Sequence, residues 1–193
     1  MRWKESLAQQ IETLSRLLNS TELEKNVDLF IKMSHRTKGF HYFTGIGKNM
    51  FVAARVAATY DSLGIRSLYV DPVNTLHGSM GIFNASDLVI AISKSGETEE
   101  LLRFISILVN RNFHNVVSIT ANRSSTLSKM SAVTIPVEVA NEGDHLGLAP
   151  IASTMAFAAI LDSIAVQISS ENGYNSSNFV FNHPGGSLGK TVI

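Results

Sequence analysis

The spacing of hydrophobic positions changes at about residue 38. Before that point, apolar residues recur every three or four positions, which is the period of an amphipathic helix. Two such series occur, separated by Ser20 and Thr21, either of which is a suitable helix cap. The apolar positions are Leu7, Ile11, Leu14, Leu17 and Leu18 in the first series, and Leu23, Val27, Phe30, Ile31 and Met33 in the second. The pattern predicts two helices within residues 1–36.

Beyond Gly39, short apolar runs alternate with amphipathic stretches. The runs are rich in β-branched and aromatic residues and are continuously apolar, as in strands covered on both faces. They predict strands at 40–44, 67–70, 88–93, 116–120 and 133–139. The other stretches predict helices at 48–63, 97–111, 124–131 and 151–170. This alternation predicts an α/β domain with a parallel sheet, helices on both sides and right-handed crossovers.

Composition narrows the class of protein. A length of 193 residues fits one domain. Lys and Arg number 16, as do Asp and Glu, so the chain lacks the basic excess typical of proteins that bind nucleic acid. The absence of cysteine rules out disulfide scaffolds, thiolate zinc sites and catalytic cysteines. Only 17% of residues are charged, which indicates that other subunits cover part of the surface.

Localisation signals are missing from the sequence. The first 14 residues lack the continuous apolar core of a signal peptide. The longest apolar stretch, 155–161, is far shorter than the ~20 residues that span a bilayer. We therefore expect a cytoplasmic protein that does not interact with a membrane.

The turn after the first predicted strand is a candidate binding site, because open parallel sheets bind ligands at the carboxyl ends of their strands. Gly45 and Gly47 allow close approach of the backbone, and the helix that starts at Lys48 favours an anion. The segment is neither a full dinucleotide fingerprint nor a Walker A loop. An ordinary tight turn with a solvated lysine is the alternative.

The turn after the third predicted strand carries three hydroxyl groups and a glycine before a helix, in the order Ser93-Lys94-Ser95-Gly96-Glu97-Thr98. Hydroxyls and backbone N–H groups at a helix start form a suitable cradle for phosphate. A helix cap at Ser95, with acids in the first turn, is the alternative. That alternative accounts for one hydroxyl but not for three.

Three other residues are candidates for catalysis or substrate binding. Glu142 follows the fifth strand and is placed for general-base catalysis, although a solvated loop acid is common there. His77 follows the second strand, where a lone histidine is more often structural. His183 begins a Pro- and Gly-rich segment that suggests a turn built to position an imidazole, with a disordered tail as the alternative. Together these residues fit proton transfer on a small phosphorylated sugar, with no metal or cofactor.

The motifs, in their order and spacing, resemble the SIS (sugar isomerase) domain of D-arabinose 5-phosphate isomerases across residues 20–193. They are Gly45-x-Gly47-Lys48, Ser93-x-Ser95-Gly96-Glu97-Thr98-x-Glu100, Leu146-Gly147-Leu148-Ala149-Pro150 with Ser153-Thr154, and His183-Pro184-Gly185-Gly186-x-Leu188-Gly189. The Ser-x-Ser-Gly loop marks the broad superfamily. The final motif together with Leu-Gly-Leu-Ala-Pro is much more specific to this subgroup.

The resemblance implies a single SIS domain over 1–193, with a flavodoxin-like three-layer sandwich around a five-stranded parallel sheet. The helices of 1–36 are expected at oligomer contacts, in a homotetramer whose active sites are shared between subunits. The implied reaction interconverts D-ribulose 5-phosphate and D-arabinose 5-phosphate through a cis-enediol. It supplies synthesis of the eight-carbon acid sugar Kdo for lipopolysaccharide or capsule.

The resemblance also implies roles for individual residues. The catalytic positions fall on Lys48, Glu100, Glu142 and His183. We assign Glu142 as the base, His183 to ring opening or proton relay, and Lys48 to enediolate stabilisation. Glu100 is expected to orient Lys48 or a sugar hydroxyl. The positions expected to bind substrate are Gly45, Gly47, His77, Ser93, Ser95, Gly96 and Thr98.

Three residues depart from the family pattern. Lys94 stands where many members have Asn, and it adds a positive charge near the phosphate. Ser79 and Asp144 replace an acid and a cysteine near the site, which bears on substrate preference. Longer relatives also carry a pair of CBS domains after the final motif. Two other functions fit the loop motif: isomerisation of a hexulose or heptulose phosphate, and non-catalytic sensing of a sugar phosphate.

Overall fold

The computed structural model describes residues 1–185. Its strands are β1 (His41–Gly45), β2 (Ser67–Tyr69), β3 (Leu88–Ile92), β4 (Val116–Thr120) and β5 (Val133–Pro136). Its α-helices are α1 (Trp3–Leu18), α2 (Thr21–Arg36), α3 (Lys48–Ser62), α4 (Glu99–Asn110), α5 (Thr126–Lys129), α6 (Ala152–Glu171) and α7 (Ser176–Asn182). Two 3₁₀ turns, Asn74–His77 and Ser79–Ile82, follow β2.

The five strands form one parallel sheet in the order β2-β1-β3-β4-β5. This is the flavodoxin-like order, and it confirms the predicted fold class. The chain runs outward from β1 to β2 and then returns across β1 to β3. The carboxyl ends of β1 and β3 therefore flank the point where the strand order reverses, which is where such sheets bind ligands.

Two apolar layers cover the sheet. On one face, α2, α3 and α6 pack through side chains that include Phe30, Tyr60 and Phe157, and α1 packs outside them. On the other face, α4 and α5 pack through Phe104, Leu127 and their neighbours. All residues of β1, β3 and β4 are buried, as the continuous apolar runs predict. The domain is thus the expected three-layer sandwich.

Helix α6 is long and apolar enough, by length and composition, to cross a membrane: it has 20 residues, and its most apolar window has a mean hydropathy of 1.4. Half of that window is buried inside the domain. This burial is what a central helix of an α/β sandwich requires, so its apolar character is explained by packing against the sheet.

Several element boundaries differ from the sequence prediction for local reasons. Strand β5 ends at Pro136, which has no N–H to continue a ladder, rather than at residue 139. Helix α4 begins at Glu99 rather than residue 97, because Thr98 has an extended backbone, with φ of −70° and ψ of 113°, and is the N-cap. Helix α7 lies in a polar segment for which the sequence pattern predicted no helix. Asn175 caps it by accepting hydrogen bonds from the N–H groups of Ser177 and Asn178.

His41 makes the stability of this fold depend on pH. The residue is buried, its Nε2 lies 2.8 Å from Ser34 Oγ, and burial lowers its pKa to about 4. A hydrogen bond with the Arg66 backbone and the charge of Asp87 oppose this shift only in part. The unfolded chain therefore takes up the proton at a higher pH than the folded protein. The stabilisation is complete above about pH 6.5 and is lost as the pH falls toward 4.

We expect the free energy of unfolding to fall by about 2–3 kcal/mol between pH 7 and pH 4.5 because of His41 alone. Urea unfolding at both pH values measures this effect. His41→Gln, which stays neutral and can still bond to Ser34, should reduce the pH dependence by that amount. The same substitution at the exposed His114 is the control. A His41→Gln variant with the full wild-type pH dependence would refute the assignment.

Candidate active site

Two loops lie side by side at the carboxyl edge of the sheet. Gly45, the last residue of β1, is directly opposite Ile92, the last residue of β3. The turn at Gly47, which has φ of 63°, makes Lys48 the first residue of α3. The segment Ser93–Thr98 leads from β3 into α4. The structure thus brings both sequence-predicted turns to the switch point between β1 and β3.

Hydrogen bonds within the Ser93–Thr98 loop give it a fixed shape. Ser93 Oγ accepts from the N–H of Gly96 at 3.1 Å and lies 3.0 Å from Thr98 Oγ1. Ser95 Oγ accepts from the N–H of Glu97 at 3.2 Å. Ser93 is buried whereas Ser95 is exposed. The loop therefore presents hydroxyl groups and the N-terminus of a 12-residue helix to one place, an arrangement suited to phosphate.

The segment between β4 and α5 fixes this loop from behind. The carbonyl oxygen of Lys94 accepts hydrogen bonds from the N–H of Ala121 and from Thr120 Oγ1, both at 3.0 Å. The N–H of Leu127 donates to the carbonyl oxygen of Gly96 at 3.1 Å. The sequence analysis did not identify Thr120 as a residue that supports the loop. Its position at the end of β4, the strand next to β3, could have indicated this contact.

Gly96→Ala should damage both the loop and the fold. An added Cβ would lie 2.4 Å from Ser125 Cβ, and φ of 67° is unfavourable for alanine. We expect a loss of about 2–4 kcal/mol in the free energy of unfolding, measured with urea. Gly147→Ala is the matched control, because Gly147 has the same φ and no atom within 4 Å of the added Cβ. Equal losses in the two variants would contradict the steric argument.

Glu142 is a buried carboxylate, with only 1% of its side chain exposed. Its Oε2 accepts hydrogen bonds from the N–H groups of Ile151 at 2.9 Å and Ser153 at 3.0 Å, so it caps the start of α6. Its Oε1 lies 2.5 Å from Nζ of Lys94. Burial acts to raise the pKa of Glu142, but the hydrogen bonds from Lys94 and Ser153 outweigh it and lower the pKa. The carboxylate is therefore ionised at neutral pH.

A groove of about 500 Å³ runs between α3 and α6 beside this carboxylate. Lys48 lies in it, exposed and without an ion pair to any residue from 1 to 185. Ile151 lines the same groove and donates its N–H to Glu142 Oε2, so Ile151 links the groove that contains Lys48 with the buried carboxylate. The lining residues are Lys48, Phe51, Val52, Arg55, Pro150, Ile151, Thr154, Met155 and Ala158.

Two other predicted residues follow strands of the same sheet and are exposed. Glu100 is exposed in the first turn of α4 and forms no ion pair with Lys48. The expected role of Glu100, in orienting Lys48 or a sugar hydroxyl, stays a prediction. His77 is exposed at the end of the 3₁₀ turn after β2.

His183 lies at the other end of the domain. It ends α7, where its Nδ1 bonds to the carbonyl oxygen of Phe179 at 2.7 Å. The neighbouring Asn182 donates to Tyr174 Oη, which itself donates to the carbonyl oxygen of Ser62 at the end of α3. Because Ser62 and Lys48 lie at opposite ends of the 15-residue α3, about 20 Å apart, these bonds place the end of α7 near the end of α3 that is far from Lys48. The rest of the predicted motif, from Gly186 to Gly189, falls outside the described residues.

Within residues 1–185, no group of three or more His, Cys, Asp or Glu side chains is arranged to hold a metal ion. The site consists instead of a hydroxyl-rich loop, two lysines and one buried carboxylate.

Comparison with known proteins identifies the family. The family described as "SIS domain" matches residues 38–167. The chain belongs to the SIS-domain family. The match includes β1 to β5 and most of α6, and therefore both loops and Glu142 of the candidate site. It ends before α7 and His183.

Several SIS-domain proteins are similar over nearly all of the chain. "Arabinose 5-phosphate isomerase KpsF" of Escherichia coli O6:H1 is 34% identical over 98% of this chain. "Arabinose 5-phosphate isomerase KdsD" of Francisella tularensis is 32% identical over 98%. This chain spans 58% of the length of each. The solved structure of E. coli CFT073 c3406 in complex with arabinose 5-phosphate has a TM-score of 0.88 and 29% identity, covering 94% of this chain and 95% of that one.

Proposed function

We propose that this SIS-domain protein is an aldose–ketose isomerase that interconverts D-ribulose 5-phosphate and D-arabinose 5-phosphate, in the cytoplasm, for Kdo synthesis. The observation that carries the proposal is the position of an ionised, buried carboxylate beside a hydroxyl-rich loop at a helix start. Such a site combines a loop that can bind phosphate with a base that can remove a proton from a sugar carbon. The relatives named arabinose 5-phosphate isomerase, and the related structure with that sugar phosphate bound, support this substrate.

The proposed chemistry begins at Glu142. Its carboxylate takes the proton from C2 of open-chain arabinose 5-phosphate, which leaves a cis-enediolate, and returns a proton to C1 to give ribulose 5-phosphate. Oε2 is held by two backbone N–H groups, so Oε1 is the oxygen that accepts the proton. General-base catalysis of this kind contributes about 10²–10⁴ in rate.

Lys48 stabilises the negative charge that develops on the enediolate oxygens. It lies exposed in the groove beside Glu142, with no ion pair within residues 1–185 to neutralise it. A preorganised positive charge at such a position contributes about 3 kcal/mol to transition-state stabilisation. The phosphate is held by the Ser93–Thr98 loop and the N-terminus of α4, which fixes the sugar carbons relative to Glu142.

His183 serves the active site of a neighbouring subunit, in the proposed homotetramer. In its own chain, hydrogen bonds tie the neighbouring Asn182, through Tyr174, to Ser62, which lies about 20 Å along α3 from Lys48, and this supports a site on another subunit. Apolar side chains at both places are exposed, with Phe51 at 68% in the groove and Phe181 at 85% on α7. Contact between these two surfaces on different subunits would bury both side chains and bring an imidazole to the groove. There it opens the sugar ring or carries protons between O1 and O2.

The test is turnover of a panel of sugar phosphates by the purified protein in the presence of EDTA. D-arabinose 5-phosphate is compared with fructose 6-phosphate and sedoheptulose 7-phosphate. We expect conversion of D-arabinose 5-phosphate to D-ribulose 5-phosphate and little turnover of the others. Turnover of a six- or seven-carbon substrate alone would refute the proposed substrate, and binding without turnover would indicate a sensor.

A further inference from the structure

Lys94 physically connects the phosphate-binding loop with the proposed base. It stands between Ser93 and Ser95, and its ammonium group reaches across to Glu142 Oε1 at 2.5 Å. The lysine side chain is 42% exposed whereas Glu142 is 1% exposed. The ion pair therefore joins a partly exposed side chain to a buried one.

Glu142 itself has no freedom to move away. Two backbone N–H groups of α6 hold its Oε2, and the N–H of Ala152 donates to its carbonyl oxygen at 3.1 Å. The backbone of Lys94 is fixed as well, by Ala121 and Thr120. Only the four methylene groups and the ammonium of Lys94 can change position, so any opening of this ion pair is a movement of the lysine side chain.

Within residues 1–185, no other group near Glu142 forms an ion pair with its carboxylate. On the α1 side, Ser6 and Gln9 approach the adjacent Gly143 and carry no charge. Asp144 directs its carboxylate to the N–H groups of Leu146 and Ala149. Lys48 lines the groove from α3 and makes no ion pair with Glu142. Among residues 1–185, Lys94 is thus the cation that forms an ion pair with Glu142.

A bound sugar phosphate would compete for the same ammonium group. The phosphate sits at the hydroxyls on either side of Lys94, and a phosphate ester carries up to two negative charges against one on Glu142. Charge-assisted hydrogen bonds to phosphate are also among the strongest available to a lysine. While Lys94 remains on Oε1, that oxygen cannot accept a proton from carbon.

We propose that Lys94 is a positioning residue that holds Glu142 in the unliganded site and moves to the substrate phosphate on binding, which frees Glu142 Oε1 to take the proton. This proposal rests on the proposed isomerase function. It couples occupation of the phosphate loop to exposure of the base, so that the base is uncovered only when a phosphorylated substrate is present.

A titration of Glu142 tests the movement without relying on activity. Protein labelled with ¹³C at the glutamate carboxyl is titrated by NMR with and without inorganic phosphate, and Glu142→Gln assigns the resonance. In the wild type, phosphate should shift the Glu142 midpoint to higher pH. In Lys94→Met the midpoint should already lie at higher pH, and phosphate should shift it less. Lys25→Met, which removes an exposed lysine of α2, should behave as wild type.

Steady-state kinetics supply a second readout. The acidic limb of kcat/KM reports the free enzyme and that of kcat reports the enzyme–substrate complex. In the wild type the acidic limb of kcat should lie at higher pH than the acidic limb of kcat/KM, and in Lys94→Met this separation should shrink.

KM for the sugar phosphate should rise about tenfold in Lys94→Met because a charge-assisted contact to phosphate is lost. Lys94→Arg should restore the separation.

The outcomes separate the two proposals. A phosphate-induced shift of Glu142 in the wild type that equals the shift in Lys94→Met would refute the movement of Lys94, whatever the activity. Absence of sugar phosphate turnover in the wild type would refute the isomerase function, while the NMR titration would still report whether Lys94 leaves Glu142. Should Lys94→Met fail to fold, Lys94→Gln replaces it, since it keeps much of the length and the polarity without the charge.

Discussion

Glu142→Gln should lower kcat for arabinose 5-phosphate by about a thousandfold, because an amide cannot accept the proton from C2. The substitution keeps the size of the side chain. Its carbonyl oxygen can still accept the N–H groups of Ile151 and Ser153, which cap α6. Lys94 is partly exposed and can turn to solvent when its partner loses the charge. The fold and KM should therefore change little while kcat collapses.

Measurement of kcat and KM, together with urea unfolding, separates this catalytic loss from misfolding. Glu138→Gln is the matched control, because Glu138 lies four residues earlier and pairs with Arg123 at the exposed surface. That variant should keep its wild-type kcat. A Glu142→Gln enzyme that folds and retains more than about a tenth of kcat would show that another group takes the proton.

If the protein forms the proposed homotetramer, mixed assemblies of two inactive variants should recover activity that neither parent variant has. His183→Ala and Glu142→Gln are each expected to be inactive, because each removes a group from every site. If His183 serves a neighbouring subunit, a mixed assembly contains sites with an intact Glu142 from one chain and an intact His183 from another. Random mixing of equal amounts should restore about a quarter of the wild-type sites. Activity of co-expressed or refolded mixtures measures this recovery.

The control for complementation uses two residues of the same chain. Lys48 and Ile151 line the α3–α6 groove, and the N–H of Ile151 donates to Glu142 of the same chain. A mixture of Lys48→Ala and Glu142→Gln should therefore stay inactive, since no site receives both intact residues. Equal recovery in the two mixtures would refute the sharing of sites, and so would no recovery with His183→Ala.

The fold could be predicted closely because the sheet is covered on both faces. Burial on both sides makes the strands continuously apolar, and this pattern located β1, β3 and β4 almost to the residue. The predictions were weaker where a single residue decides a boundary. The extended backbone of Thr98 delays the start of α4, and the cap at Asn175 allows α7 to form in a polar segment without apolar periodicity.

The candidate site could be predicted in part, because turns that follow neighbouring parallel strands must meet at one edge. This rule brings Lys48, the Ser93–Thr98 loop and Glu142 together. It says nothing about contacts that depend on the reach of a side chain, and so the ion pair of Lys94 with Glu142 was missed. Nor does it place His183, whose position depends on the direction in which α6 leaves the site.

Isomerisation in D₂O tests the central claim most directly. A base that moves a proton through a cis-enediol exchanges that proton with solvent, so D-ribulose 5-phosphate should give arabinose 5-phosphate with deuterium at C2. NMR detects this label as loss of the C2 proton signal and splitting of the C2 carbon signal. We predict that the wild type forms the labelled product and that Glu142→Gln forms none at a comparable rate. Failure to form arabinose 5-phosphate, or a product that retains protium at C2 through many turnovers, would contradict the account.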